Sequence, residues 1–399
     1  MGILKLKTDL KKFFLQIIIF IMKNYTIFIK LILIKKNMIT LKKVGLTALA
    51  GSLVAVSAQA GELAVTGSAT ATYKTKAGSG LTAQSLGHST QVNFAGSGEL
   101  DNGYTFNTFV LMADSQAALS SSALTLTMGS MGTVGISRAG GFNVNGGYDE
   151  TYPRAYEENS DAGGQSPSNY VGSTSDDNAI IYKSPQLSMM GATVDLGVEY
   201  SLDAGATTGK DGALAASTPA TDNSMGVGIT VGYEGLTFGA YAEEIEKNDR
   251  QNARTTHDEF NGSAFINYNF GPVSVGYQQA YTDTGVVNGT ADANATTAAK
   301  TVGTSSGKFE DESMSIAFNV NDDLSISYAE TESTYSPSVY DAGTTTKLKD
   351  VKQESDSFQV AYSMGAMSVK AYKTKISNIN YVSGATDTTV NEIAIGLAF

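Results

Sequence analysis

From Gly61 to Phe399 the chain is dominated by a two-residue alternation of apolar and polar side chains. In GELAVTGSATATYKTK, Leu63, Val65, Ala69, Ala71 and Tyr73 share one parity, and Thr66, Ser68, Thr70, Thr72 and Lys74 share the other. GATVDLGVEYS sets Val194, Leu196, Val198 and Tyr200 against Thr193, Asp195 and Glu199, and DESMSIAFNV sets Met314, Ile316, Phe318 and Val320 against Ser313, Ser315 and Asn319. The last residues, NEIAIGLAF, alternate in the same way and stop on a bare aromatic, Phe399. Side chains alternate across a strand, so this period predicts strands. No segment shows a convincing 3.6-residue stripe.

The connections come in two sizes that alternate. Short turns fall at 99–103, 129–132, 183–187, 234–235, 271–272, 321–323 and 363–365. Longer polar stretches fall near 77–87, 114–122, 139–177, 202–223, 247–257, 284–309, 336–351 and 379–386. Fifteen connections join sixteen strands, and an even number leaves both termini on the short-turn side. A soluble sandwich would fill its shared core with Leu, Ile and Val from both sheets. Here one face is apolar and the other carries Thr, Ser, Asn, Gln, Gly and charges. That pattern fits a closed 16-stranded antiparallel transmembrane β-barrel with lipid outside and water inside. Closure removes exposed edges, and at about sixteen strands the interior is too wide for side chains to fill. Tyr104, Tyr182, Tyr200, Tyr233, Tyr268, Phe270 and Tyr281 fall at strand ends, where interface girdles sit. The alternating face of Ile393, Ile395, Leu397 and Phe399 is expected to meet lipid, with the last strand closing beside the first.

The first sixty residues differ. Lys42 and Lys43, the apolar run 44–56 and Ala58-Gln59-Ala60 have the layout of a secretory signal peptide over 38–60, with cleavage between Ala60 and Gly61. The Ile- and Lys-rich segment 1–37 is read as a non-native or unstructured upstream extension ahead of a true start at Met38; the alternative is a membrane anchor. The first sixty residues hold ten lysines and one aspartate, so 17 of the 27 basic and 38 of the 39 acidic residues lie in 61–399, a formal net charge of −21. Nucleic acid is not an expected partner at that charge.

Reactive chemistry is poorly supplied. With no cysteine and two histidines, His88 and His257, there is neither a thiol site nor a credible Ser/His/acid set. No cofactor is expected. Asp176-Asp177 and Asp322-Asp323 offer oxygens that Ca²⁺ favours, but neither lies in the ordered D-x-[DN]-x-[DN]-G spacing. GVGITVGYEG (226–235) is glycine-rich without the phosphate-binding spacing or a following helix.

Several stretches resemble the Gram-negative general-diffusion porins, closest in style to the alphaproteobacterial, Rhodobacter-type members. STQVNFAGSGELDNGYTFNTFVLMAD (89–114) is similar to that family's second hairpin. GTVGISRAGGF (132–142) resembles the strand entering the long third loop, and NAIIYKSP (178–185) resembles the N-S-I-R-Y-x-S-P strand that leaves it. Phe399 resembles the signal read by the outer-membrane assembly machinery. The resemblance implies a homotrimer in the bacterial outer membrane and a third loop, 139–177, folded into the barrel 61–399 as a constriction. Asp149, Glu150, Glu157 and Glu158, with Arg154 among them, would then face a basic wall for which Lys74 and Lys183 have lumen parity, with Arg138 nearby at the strand end as a third constriction candidate. The field between them would orient polar solutes. The family's wall arginine corresponds here to Ile181, so that wall is thin.

The expected function is a passive channel for small hydrophilic solutes and ions, without enzymatic activity. A surface-binding adhesin or structural barrel is the alternative, and the third loop discriminates: inside the lumen for a channel, outside for an adhesin. A barrel protease or lipase would need a plausible His-centred site, which neither His88 nor His257 offers.

Overall fold

The computed structural model describes residues 61–78, 81–113, 119–138, 140–171, 179–202, 221–247, 257–285, 307–338 and 349–399. The stretch 38–60 read as a signal peptide, the upstream segment 1–37, Asp176-Asp177, and most of the long stretches 202–223 and 284–309 lie outside these residues.

Seventeen strand segments form one closed antiparallel sheet. They are β1 (Glu62–Gly78), β2 (Leu81–Glu99), β3 (Thr105–Ala113), β4 (Ser121–Thr127), β5 (Thr133–Arg138), β6 (Ala179–Lys183), β7 (Leu187–Met189), β8 (Ala192–Ser201) and β9 (Thr221–Tyr233) in the first half. The second half has β10 (Leu236–Lys247), β11 (Glu259–Phe270), β12 (Val273–Asp283), β13 (Lys308–Asn319), β14 (Leu324–Ser336), β15 (Val351–Met364), β16 (Met367–Ser377) and β17 (Thr388–Ala398). β6 and β7 both pair with β8, one after the other, so they are two pieces of a single stave and the barrel has sixteen. Among the described residues there is no α-helix, only short 3-10 turns.

Two expected connections are corrected. The segment 183–187 is not a turn. Pro185 cannot donate to the ladder and interrupts the stave there, yet Ser184 N–H still donates to Leu196 O at 2.8 Å. The reversal follows at Met190-Gly191, both at positive φ. Most of 77–87 is strand rather than loop, paired through Ala77↔Thr82 and Gly78↔Leu81. The apolar alternation breaks there, with Thr82 and Gln84 sharing the outward parity of Leu86, because the hairpin continues past the height at which one face must be apolar.

Parity decides which face is wet. Leu63, Ile136, Ile316 and Ile395 are exposed on the outer surface, and so are Tyr233, Tyr268 and Phe270 near the short turns. The inner face carries Ser, Thr, Asn, Gln and carboxylates. Closure is sealed at the termini. Phe399 N–H donates to Gly67 O at 2.9 Å, and Gly67 N–H donates to Phe399 O at 2.7 Å. A Cβ on Gly67 would lie 2.4 Å from the Phe399 ring, so the glycine makes room for the terminal aromatic on the outer wall.

Candidate functional site

The connection between β5 and β6 does not stay outside. Residues 140–171 cross the barrel interior and touch the wall from β8 round to β1. Their seat is a track of inward-facing glycines. A Cβ at Gly135 would meet Phe142 at 2.7 Å, at Gly197 Val144 at 2.7 Å, at Gly228 Tyr148 at 2.6 Å, and at Gly276 Pro153 at 2.3 Å. Four bare strand positions thus receive Phe142, Val144, Tyr148 and Pro153. Val144, Tyr148 and Val171 then pack with Ala179, Ile181, Tyr241 and Phe265 into an apolar cluster. Each such buried side chain is worth about 1.5–3 kcal/mol of transfer free energy.

Polar anchors continue the path. Val144 N–H donates to Glu199 Oε2 at 2.7 Å. Tyr148 O accepts from Gln278 Nε2 at 2.7 Å and Ser263 Oγ at 3.0 Å. Ala155 N–H donates to Ser327 Oγ at 2.9 Å, and Gln359 brackets Tyr156 N–H and Glu157 O. Ser166 Oγ donates to Asp311 Oδ2 at 2.8 Å. Backbone polar groups that leave water need partners, and the inner wall supplies them.

The candidate charges fall into separate places. Glu150 is fully buried within the loop, at positive φ, accepting from Tyr152 OH at 3.0 Å and from Ser160 Oγ. It does not face the lumen. Arg154 is held by Glu150 O and by Glu158, Nη2 to Oε1 at 2.6 Å. Burial pushes the Asp149 carboxyl up to about 8, reinforced by the Glu158 charge. Burial, then the hydrogen bond with Asp161, pushes Glu157 up to about 7. Burial raises Glu158 and, strongly, Glu150 as well.

The basic side is also rearranged. Lys74 faces inward and touches the loop itself, donating to Asp161 O at 3.0 Å, with Glu392 at 3.6 Å. Lys183 faces inward too, but at the other end of the loop, its Nζ 4.6 Å from the Phe142 ring centroid. Arg138 is a correction. It shares parity with the outward Ile136 and lies across from Ser122, which pairs outward with Val110, so it belongs to the outer face at a strand end. Ile181 is fully buried beneath the loop, so apolar packing occupies the expected wall-arginine position. The structure therefore brings Lys74 against the acidic segment and leaves Lys183 and Arg138 apart from it.

The sequence analysis missed Lys370, which stands over the Tyr156 ring at 5.2 Å, and Glu392, which accepts from Tyr156 OH at 2.8 Å. Parity was the available signal: Lys370 shares a face with Ser368 and Tyr372, and Glu392 shares one with Ala394 and Gly396. Among the described residues no cluster of three or more His, Asp and Glu is arranged to hold a metal.

A closed sixteen-stave barrel with an apolar exterior, a polar interior and an inserted loop is an outer-membrane diffusion channel in architecture. The sequence model of the Gram-negative porins matches residues 45–399. The chain belongs to that family, and it is a passive channel of the bacterial outer membrane for small hydrophilic solutes and ions. No curated protein matches the sequence. Solved structures share the fold at low identity. OmpF of Salmonella typhi in complex with daunomycin is 14% identical with a TM-score of 0.60, covering 85% of this chain and 98% of that one. In-vitro folded OmpT of Vibrio cholerae is 11% identical at 0.53, covering 86% and 99%. A mutant of the Rh. blastica porin is 12% identical at 0.51, covering 85% and 100%.

Proposed function

We propose that the chain is a non-enzymatic general-diffusion porin of the alphaproteobacterial type, active as a homotrimer, whose passage is narrowed by the loop 139–177. The observation that carries this reading is the path of residues 140–171 across the interior, seated on Gly135, Gly197, Gly228 and Gly276. An adhesin would present that loop outward. Asp149, Glu157, Glu158 and Arg154 form the loop side of the constriction, and Lys74 with Lys370 forms its basic edge. Contact between Lys74 and the loop makes the two sides neighbours rather than opposed walls, so the field is local. The signal peptide 38–60 is removed to leave Gly61, and Phe399 directs barrel assembly. Single-channel recording in planar bilayers is the test: discrete conductance steps in groups of three support the reading. An inserted, heat-modifiable barrel without ion conductance refutes it.

A further inference from the structure

We propose that the cavity beneath the inserted loop is a weak subsite for a neutral saccharide of two or three rings in transit. The proposal rests on the channel reading above and deepens it to a solute class. The cavity holds ≈ 650 Å³ and lies between loop residues 146–158 and the wall of β10 to β13, towards the short turns. That volume is in the range of small-molecule sites and corresponds to about twenty waters at about 30 Å³ each.

The wall side is uncharged and dense in hydrogen-bonding groups: Thr237, Asn267, Asn269, Ser274 and Asn319. Register puts them on one inward face. Asn267 pairs with Gly276, Asn269 with Ser274, and Ser274 with Ala317. Neighbouring strands are about 4.8 Å apart and same-face residues about 7 Å apart along a strand. The amides and hydroxyls therefore form a grid on the scale of a sugar ring, with the small Ala317 leaving room beside them.

The loop side carries charges that are already occupied. Arg154 and Glu158 neutralise each other at 2.6 Å, and burial holds Asp149 mostly protonated at neutral pH. An ion entering here gives up hydration and meets no unpaired counter-charge. A sugar hydroxyl exchanges a water hydrogen bond for an amide or hydroxyl bond at small net free energy. Several such exchanges give binding strong enough to detect and weak enough to permit exit, as transit requires.

The test uses the purified mature channel in planar bilayers, at high salt so that charge effects are screened. Increasing maltotriose on the short-turn side is expected to produce a saturable fall in ion conductance with excess current noise. Trialanine, a zwitterion, is expected to produce neither. Asn269→Ala with Asn319→Ala should weaken the half-blocking concentration on the order of tenfold, read against the variant's own open-channel conductance. Among the described residues neither of these side chains anchors the loop, unlike Asn267, whose Nδ2 donates to Thr151 O at 3.2 Å. Conducting channels that maltotriose does not block, equal block by trialanine, or block unchanged in the double variant would each overturn the proposal and leave the porin reading intact. A preparation that conducts no ions overturns both.

Discussion

Raising the pH from 6 to 9 should make this channel progressively more cation-selective. The loop carboxyls explain why. Asp149, at about 8, faces Glu158, Arg154, Asp161 and Asp311. Glu157, at about 7, faces Asp161, Tyr156 and Glu392. A carboxyl with a raised value is neutral below it and charged above it, so negative charge appears as pH climbs. The two groups together carry on the order of 0.1 charge at pH 6 and about 1.9 at pH 9. Taking a passing ion at about 6 Å in a water-like medium, that gain is worth about 1.2 kcal/mol, reduced to about 0.7 kcal/mol by screening at 0.1 M salt. Cations are then enriched roughly threefold and anions depleted by a similar factor, so the permeability ratio should rise roughly three- to tenfold. The assay is the reversal potential in a KCl gradient at pH 6, 7, 8 and 9, repeated at high salt, where the effect should shrink. Asp149→Asn with Glu157→Gln should flatten the titration. Glu150→Gln should not, because that side chain is enclosed in the loop. A ratio constant over this pH range, or a titration that survives in the double variant, would refute the reasoning.

Three further outcomes are expected. Phe399→Asp should block insertion and leave the protein degraded in the periplasm, while Gly67→Val, which collides with the Phe399 ring, should slow assembly; membrane fractionation and heat-modifiability read both. Mass spectrometry of the outer-membrane protein should find Gly61 at its start; a mature chain beginning within 1–37 would show that the upstream segment is kept. Gly228→Val should drive a side chain into Tyr148 and destabilise the loop's seat by about 1–3 kcal/mol, detected as noisier conductance and protease cleavage within 140–171, with the barrel itself retained.

The barrel was legible because two independent constraints act on every strand residue. Lipid outside demands one parity, water inside demands the other, and a one-residue slip would violate both at once. That is why the alternation in NEIAIGLAF placed Ile393, Ile395 and Leu397 outward, where the structure has them. Connections are subject to neither constraint. Hence 77–87 passed for a loop although it is mostly strand, and 183–187 passed for a turn because Pro185 gives the same local signal when it breaks a stave as when it ends one.

The loop charges were misread for a related reason. Sequence reports which side chains ionise, while burial decides whether they do. Glu150 is acidic in composition and is sealed inside the loop, and Arg138 is basic but has the outward parity of Ile136. The seat of the loop, by contrast, was written in the strands. Gly135, Gly197, Gly228 and Gly276 all have inward parity. A glycine inside a strand weakens it unless something approaches closely. Bare positions on four separate staves signal a common visitor. For Gly228, the phosphate-binding pattern tested at 226–235 was the wrong question. Phe142, Val144, Tyr148 and Pro153 show what the four glycines make room for, and the longest connection in the chain was the segment available to supply it.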